Sequence, residues 1–312
     1  MVLGELPELA FLPELPDRGP GADLVGRGAG FLVDLPVELA VSGWRFCDRP
    51  GHDLWRTKDL LARDLDVFAE AAEGFEGVLK VQVPGPWTLA ATVELRRGEK
   101  ALSDPGAVQD LIDSLAEGVR GHVAELSRRV PSARILTQLD EPALPGVLTA
   151  RIATASGFRT LRAIPAATVS AGLSRVIASA GAPVVVHCCA PEVPLELLRG
   201  TGVAAVAVDL GLAELNSTAV LDTLAEHLDA GTGLWVGVVP GTGLVSELPR
   251  AEALADRIRG LWQRLGLAPE LLPEAVVLTP GCGLAGASSD YARAALRLCR
   301  TAARQILDDP ES

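Results

Sequence analysis

The amino-acid sequence predicts an α/β protein folded as a (β/α)8 TIM-type barrel, a single domain over residues 1–312. Three observations lead there. Short, near-continuous apolar runs alternate with longer helical stretches, reactive side chains gather just after those runs, and no G-x-G-x-x-G follows an early strand. Apolar runs of this kind suit parallel strands covered on both faces. Repeated β-α units of this length leave a doubly wound sheet or a barrel, and the missing glycine fingerprint counts against the dinucleotide-binding sheet.

Taken in order, Ala10-Phe11-Leu12-Pro13-Glu14-Leu15 is a candidate strand, followed by a helix over Asp59–Ala72. The first clear strand is Val78–Val83, ended by Pro84-Gly85-Pro86. A helix opens at Asp104-Pro105, an N-cap with Pro at the first helical position, and runs to Val130. The strand Ala133–Leu139 follows, ended by Asp140-Glu141-Pro142. A helix from Thr168 ends at Gly181 and one from Asn216 ends at Gly231, each glycine placed just past a helix end. Around them run the strands Pro183–Val186, Val203–Val208, Leu234–Val239 and Ala275–Leu278. Ser246 and Ser288 are candidate caps of two more helices, the second reaching the C-terminus. Six strands are clear, and Ala10–Leu15 makes a seventh.

Composition narrows the function. Hydrophobic residues make up 48% and charged residues 22%, an ordinary globular balance, but the net charge is −12. A negative field without a Lys/Arg cluster disfavours nucleic acid as a partner. The opening Met1-Val2-Leu3-Gly4-Glu5 does not read as a signal peptide, and no apolar run is long enough to span a membrane, so a cytoplasmic protein is expected. Five scattered cysteines make a poor disulfide framework and leave metal binding or burial.

In a parallel barrel, reactive groups sit at the C-terminal strand ends. Here those ends hold Glu14, Asp140-Glu141, His187-Cys188-Cys189, Asp209 and Cys282. His187 and Cys189 share a strand face by their period-2 spacing, and Cys188 faces the other way. With Cys282 and Asp209 they make a His, Cys, Cys and carboxylate set that Zn²⁺ accepts. The spacing equally allows Val-His-Cys-Cys-Ala to be buried packing with free thiols. Asp140-Glu141 either captures a substrate ammonium or is a solvated acid pair at a helix entry. Pro84-Gly85-Pro86-Trp87-Thr88 is a rigid turn near them. His52, His122, His227, Cys47 and Cys299 read as surface or packing residues.

The chain resembles the catalytic barrel of cobalamin-independent methionine synthase in its short form. Four stretches carry the resemblance, in family order: Val83-Pro84-Gly85-Pro86-Trp87-Thr88-Leu89, Gln138-Leu139-Asp140-Glu141-Pro142-Ala143-Leu144, Val186-His187-Cys188-Cys189 and Pro280-Gly281-Cys282-Gly283-Leu284. The resemblance implies His187, Cys189 and Cys282 as zinc ligands. Asp209 stands where the family has a glutamate ligand, one methylene shorter. Asp140 matches the acid that binds the homocysteine amine, with Glu14 in the place of a His-Gly-Glu motif and sharing that role beside Glu141. It implies zinc-dependent methyl transfer to homocysteine, with methyl-folate or a methylated corrinoid protein as donor.

Three departures accompany it. The family's opening Gly-Ser-Phe/Leu-Pro strand is absent, so a barrel lacking its first strand is expected. The gap implies an upstream strand in the native gene product and a less stable short form, unless Gly30-Phe31-Leu32-Val33-Asp34 closes the barrel. Val239-Pro240-Gly241-Thr242-Gly243 replaces the segment with the catalytic histidine, Thr242 lying nearest its position. The family's separate folate-binding barrel is missing as well. Two rivals remain: a corrinoid- or coenzyme M-type methyltransferase of the uroporphyrinogen-decarboxylase-like barrels, and a non-catalytic zinc-binding barrel.

Overall fold

The computed structural model describes residues 1–212 and 217–311. In chain order the first elements are helix α1 (Val2–Glu5), strand β1 (Leu9–Phe11), helix α2 (Leu24–Gly30) and the hairpin β2 (Val37–Ala40) and β3 (Gly43–Phe46). Helix α3 (His52–Ala71), β4 (Val78–Pro84), α4 (Pro86–Thr92), α5 (Pro105–Arg129) and β5 (Arg134–Asp140) follow. Then come α6 (Leu144–Leu148), α7 (Ala166–Ser179), β6 (Val184–Cys188), α8 (Leu195–Arg199), β7 (Ala205–Asp209) and α9 (Thr218–Asp229). The chain continues through β8 (Gly233–Val239), α10 (Ala251–Leu265), α11 (Leu272–Ala275), β9 (Val276–Pro280) and α12 (Ser289–Asp308).

Seven strands form one sheet in the order β1-β4-β5-β6-β7-β8-β9. Each pairs in parallel with the next. The result is a curled, TIM-type sheet short of one strand, flanked by helices. β1 and β9 are its edges and do not pair with each other among the described residues. β1 has only three residues, which limits the unpaired backbone at that edge. The segment before β1 is helical and packs Val2 with Ala10 and with Leu296 of α12, closing apolar surface over the seam.

Strand parity sorts the side chains. Leu9, Leu136, Val185, Ala205, Ala207, Trp235 and Val277 meet inside the sheet's curl. The outward positions pack under the helices, where α5 buries Val108, Leu111, Leu115 and Val119 at helical spacing. A fully buried leucine of this kind contributes about 2 kcal/mol through the apolar area it removes from water.

The expected punctuation holds at several ends. Asp104 Oδ1 accepts from Gly106 N at 2.8 Å and Ala107 N at 3.1 Å, capping α5. Ser288 Oγ accepts from Tyr291 N at the start of α12. Four details differ. Ser246 lies in a 3₁₀ turn, and α10 starts later, with Arg250 at its cap position and no capping side chain. The helix expected from Asp59 starts at His52. Residues 30–34 end α2 and turn, with Asp34 at φ 54°, and do not close the sheet. The hairpin β2–β3 was not legible; it stands apart from the main sheet and is tied by a parallel bridge from Arg45 to Glu94. The expected helix start at Asn216 lies outside the described residues. No described helix is long and apolar enough to cross a membrane.

Candidate functional site

β6 delivers His187 and, one step past its end, Cys189 to the inner face, while Cys188 is fully buried on the other. Cys282 arrives from the loop after β9. Its approach needs two glycines. A Cβ on Gly237 would meet the Cα of Gly281 at 2.4 Å, and one on Gly281 would meet the Asp209 carboxylate at 2.8 Å, so the turn before Cys282 fits against β7 and β8 only because both residues lack side chains. A register shift between Gly237 and Val239 accompanies this contact.

His187, Cys189 and Cys282 converge. One ligand-type atom from each lies within 4.8 Å of the others, and the two Sγ atoms are 3.6 Å apart. Two thiolates on one tetrahedral zinc, each ~2.3 Å from the ion, stand ~3.8 Å apart. The donor set and its spacing therefore fit zinc. The cluster also polarises itself. The Cys189 thiol, then His187, hydrogen-bond to Cys282 and hold its thiol well below the usual range. Cys189 is pushed up, first by Cys282 and then by burial. For His187 burial works against the charged ring, but the Cys282 contact and Asp140 outweigh it and raise its pKa. These contacts favour the thiolate form of Cys282, the form in which a cysteine binds a metal.

Asp209 ends β7 outside this triad. Its Oδ1 accepts from Gly211 N at 2.7 Å, and its carboxylate lies against Gly281, where an added Cβ would meet Oδ2 at 2.8 Å. Thr242 is exposed on the loop after β8.

The acids divide by parity. Asp140 faces inward and pairs in register with His187 on the neighbouring strand. It is half-buried at the mouth, and the surrounding protein raises its pKa by desolvation, against His187 and Lys80. Its Oδ1 accepts from Gln138 Nε2 at 2.7 Å. Glu141, the next residue, points the other way and is fully buried. It accepts from Trp87 N at 3.0 Å, and from Thr88 N and Thr88 Oγ1 at 2.7 Å each. Gly85 makes room for it, since a Cβ there would fall 2.3 Å from Glu141 Oε1. Expected beside the substrate, Glu141 instead caps α4. Its three donors occupy both carboxylate oxygens, and burial raises its pKa to about 7. The Pro-Gly-Pro-Trp-Thr turn thus supplies all three of its donors.

Glu14 lies after β1 with its Oε1 3.1 Å from Nε of the buried Arg27. Burial raises its pKa, and Arg27 is the main opposing charge. Two interior side chains, Lys80 and Gln82, carried no functional reading in the sequence. Lys80 on β4 donates from Nζ to Gln138 Oε1 at 2.7 Å, and burial lowers its pKa to about 8. Their signal was present: both are polar at inward positions of the otherwise apolar run Val78–Val83.

The protein-family model described as "Cobalamin-independent synthase, Catalytic domain" matches residues 67–305. A search of curated protein sequences finds no match. Among solved structures, the chain is similar to a B12-independent methionine synthase from Shewanella sp. W3-18-1, determined in complex with selenomethionine. The TM-score is 0.53 at 15% identity, covering 78% of this chain and 67% of that one. That likeness speaks for the fold. The family match spans most of the sheet and includes Asp140, His187, Cys189 and Cys282, and on it the chain belongs to the catalytic-domain family of the cobalamin-independent methionine synthases, a family of methyltransferases.

Proposed function

We propose that this chain methylates the thiol of homocysteine to give methionine, with Zn²⁺ held by His187, Cys189 and Cys282. The observation that supports this most is the register of Asp140 with His187. It sets an acid suited to the substrate's ammonium beside a cluster suited to its sulfur. When bound, zinc supplies the Lewis acidity that keeps a substrate thiol deprotonated near neutral pH. Asp209, lying against Gly281, is the candidate for a fourth protein ligand.

Asp140 binds and orients the amino group by a charge-assisted hydrogen bond. Glu14 contributes less, because Arg27 already holds its charge. The substrate sulfur forms the new bond to the methyl carbon while the donor's bond to that carbon breaks and its electrons leave with the donor. The donor is methyl-folate or a methylated corrinoid protein. Thr242 offers no imidazole to protonate a departing folate nitrogen, whereas a reduced corrinoid departs without a proton. The corrinoid is the better match to this mouth.

The test is direct. Zinc-loaded protein is incubated with homocysteine and each donor in turn, and methionine is measured. Methionine should form with at least one donor and stop on chelation. Absence of methionine with both overturns the reading.

A further inference from the structure

A polar column climbs the inside of the sheet and has no task in the methyl transfer itself. Lys80 sits level with Leu136 in the β4–β5 register, well below the mouth. Its Nζ reaches upward to Gln138 Oε1, two residues nearer the mouth, at 2.7 Å. Gln138 Nε2 continues the climb to Asp140 Oδ1, also at 2.7 Å. The Phe11 ring centroid lies 5.5 Å from the ammonium on the β1 side. Inward positions around it are apolar: Leu136 at its level, Leu9 two residues lower and Val185 two residues higher. An ammonium among them forms no direct ion pair among the described residues, so packing alone does not account for it.

The donor and acceptor inventory gives the column a direction. An ammonium has three donors and no lone pair. The Gln138 amide must therefore turn its oxygen toward Lys80 and its NH₂ toward Asp140. An amide NH₂ only donates, so Asp140 Oδ1 is held as an acceptor. Oδ2 takes no hydrogen bond from the protein among the described residues and stays available at the mouth.

We propose that Lys80 is a positioning residue for substrate recognition: through Gln138 it fixes the amide orientation, and so the rotamer and acceptor face of Asp140, leaving one carboxylate oxygen for the ammonium of an amino-acid thiol. The inference rests on the homocysteine reading and adds the element that sets its amine selectivity. Without Lys80 the Gln138 amide is free to flip, and its oxygen then opposes the carboxylate.

Calorimetric titration of zinc-loaded protein with L-homocysteine and with 4-mercaptobutyrate, the same thiol acid without the amine, tests this. Lys80→Met should weaken homocysteine binding about tenfold, the lower end for a hydrogen bond to a charged group. Binding of 4-mercaptobutyrate and zinc content should stay at the parent's values. Gln138→Met, which keeps the ammonium but breaks the relay, should give the same selective loss. Asp140→Asn separates the two ideas. If Asp140→Asn keeps the parent's preference for the amine, the homocysteine reading and the relay fall together. If it loses that preference while Lys80→Met and Gln138→Met keep it, the relay alone is wrong. Equal loss of both ligands in Lys80→Met and Gln138→Met makes the column structural and also overturns the proposal.

Discussion

The two arcs of the mouth are finished to different degrees. On the β1–β5 arc each acid already has a protein partner: Glu14 has Arg27, Asp140 has Gln138 and, behind it, Lys80, and Glu141 has the first turn of α4. On the β6–β9 arc His187, Cys189 and Cys282 have chiefly one another. Buried carboxylates demand partners because desolvation penalises an unpaired charge. A pair of thiols beside an imidazole instead gathers donor atoms whose shared unmet need is a cation. On the proposed function, the first arc orients the substrate and the second receives the metal.

Several substitutions break or sharpen that contrast. The largest effect is expected on the sulfur arc. Cys282→Ser or His187→Ala should weaken zinc binding by at least ~100-fold, beyond the usual cost of losing a mere supporting contact, as read by competition with a chromogenic chelator. Cys188→Ser, on the opposite strand face, should change zinc affinity less than ~3-fold. Metal loss with Cys188→Ser and retention with Cys282→Ser would reverse the assignment of the arc.

On the acid arc the effects should separate into stability and recognition. Glu141→Ala strands buried donors at the start of α4 and should cost about 3 kcal/mol in denaturant unfolding. Its zinc affinity should match the parent's. Asp140→Asn should leave stability nearly unchanged and weaken homocysteine binding by about 2 kcal/mol, the scale of one charge-assisted hydrogen bond. Glu14→Gln is expected to show the smallest effect on homocysteine, under ~0.5 kcal/mol, because its charge is committed to Arg27, as in many already-paired sites. If Glu14→Gln weakens homocysteine more than Asp140→Asn does, the two acids have exchanged roles.

Much of this was legible in the sequence because parallel strands advertise themselves. Apolar runs located the seven strands, and the polar residues just past their ends located His187, Cys189, Cys282 and Asp140. Parity, applied to Cys188, also separates Asp140 from Glu141. Adjacent residues on a strand cannot both face the mouth, so the acid pair had to split. Lys80 was hidden for the opposite reason. One cation within an apolar strand reads as an interruption until its register shows that it reaches Gln138. The β2–β3 hairpin escaped because four-residue strands carry too little alternation to stand out. Asp209 depends on how closely β8 and β9 approach at Gly237 and Gly281, and no local pattern encodes that distance.

Under the proposed function the two arcs meet over one sulfur atom, and X-ray absorption at the zinc edge tests for that meeting. The zinc-loaded protein should show two sulfur neighbours at ~2.3 Å, supplied by Cys189 and Cys282. Addition of homocysteine should raise the count to three, and Asp140→Asn should require more homocysteine to reach it. A count that stays at two in saturating homocysteine, or a resting site without two sulfurs, would contradict the assignment of this mouth to thiol methylation.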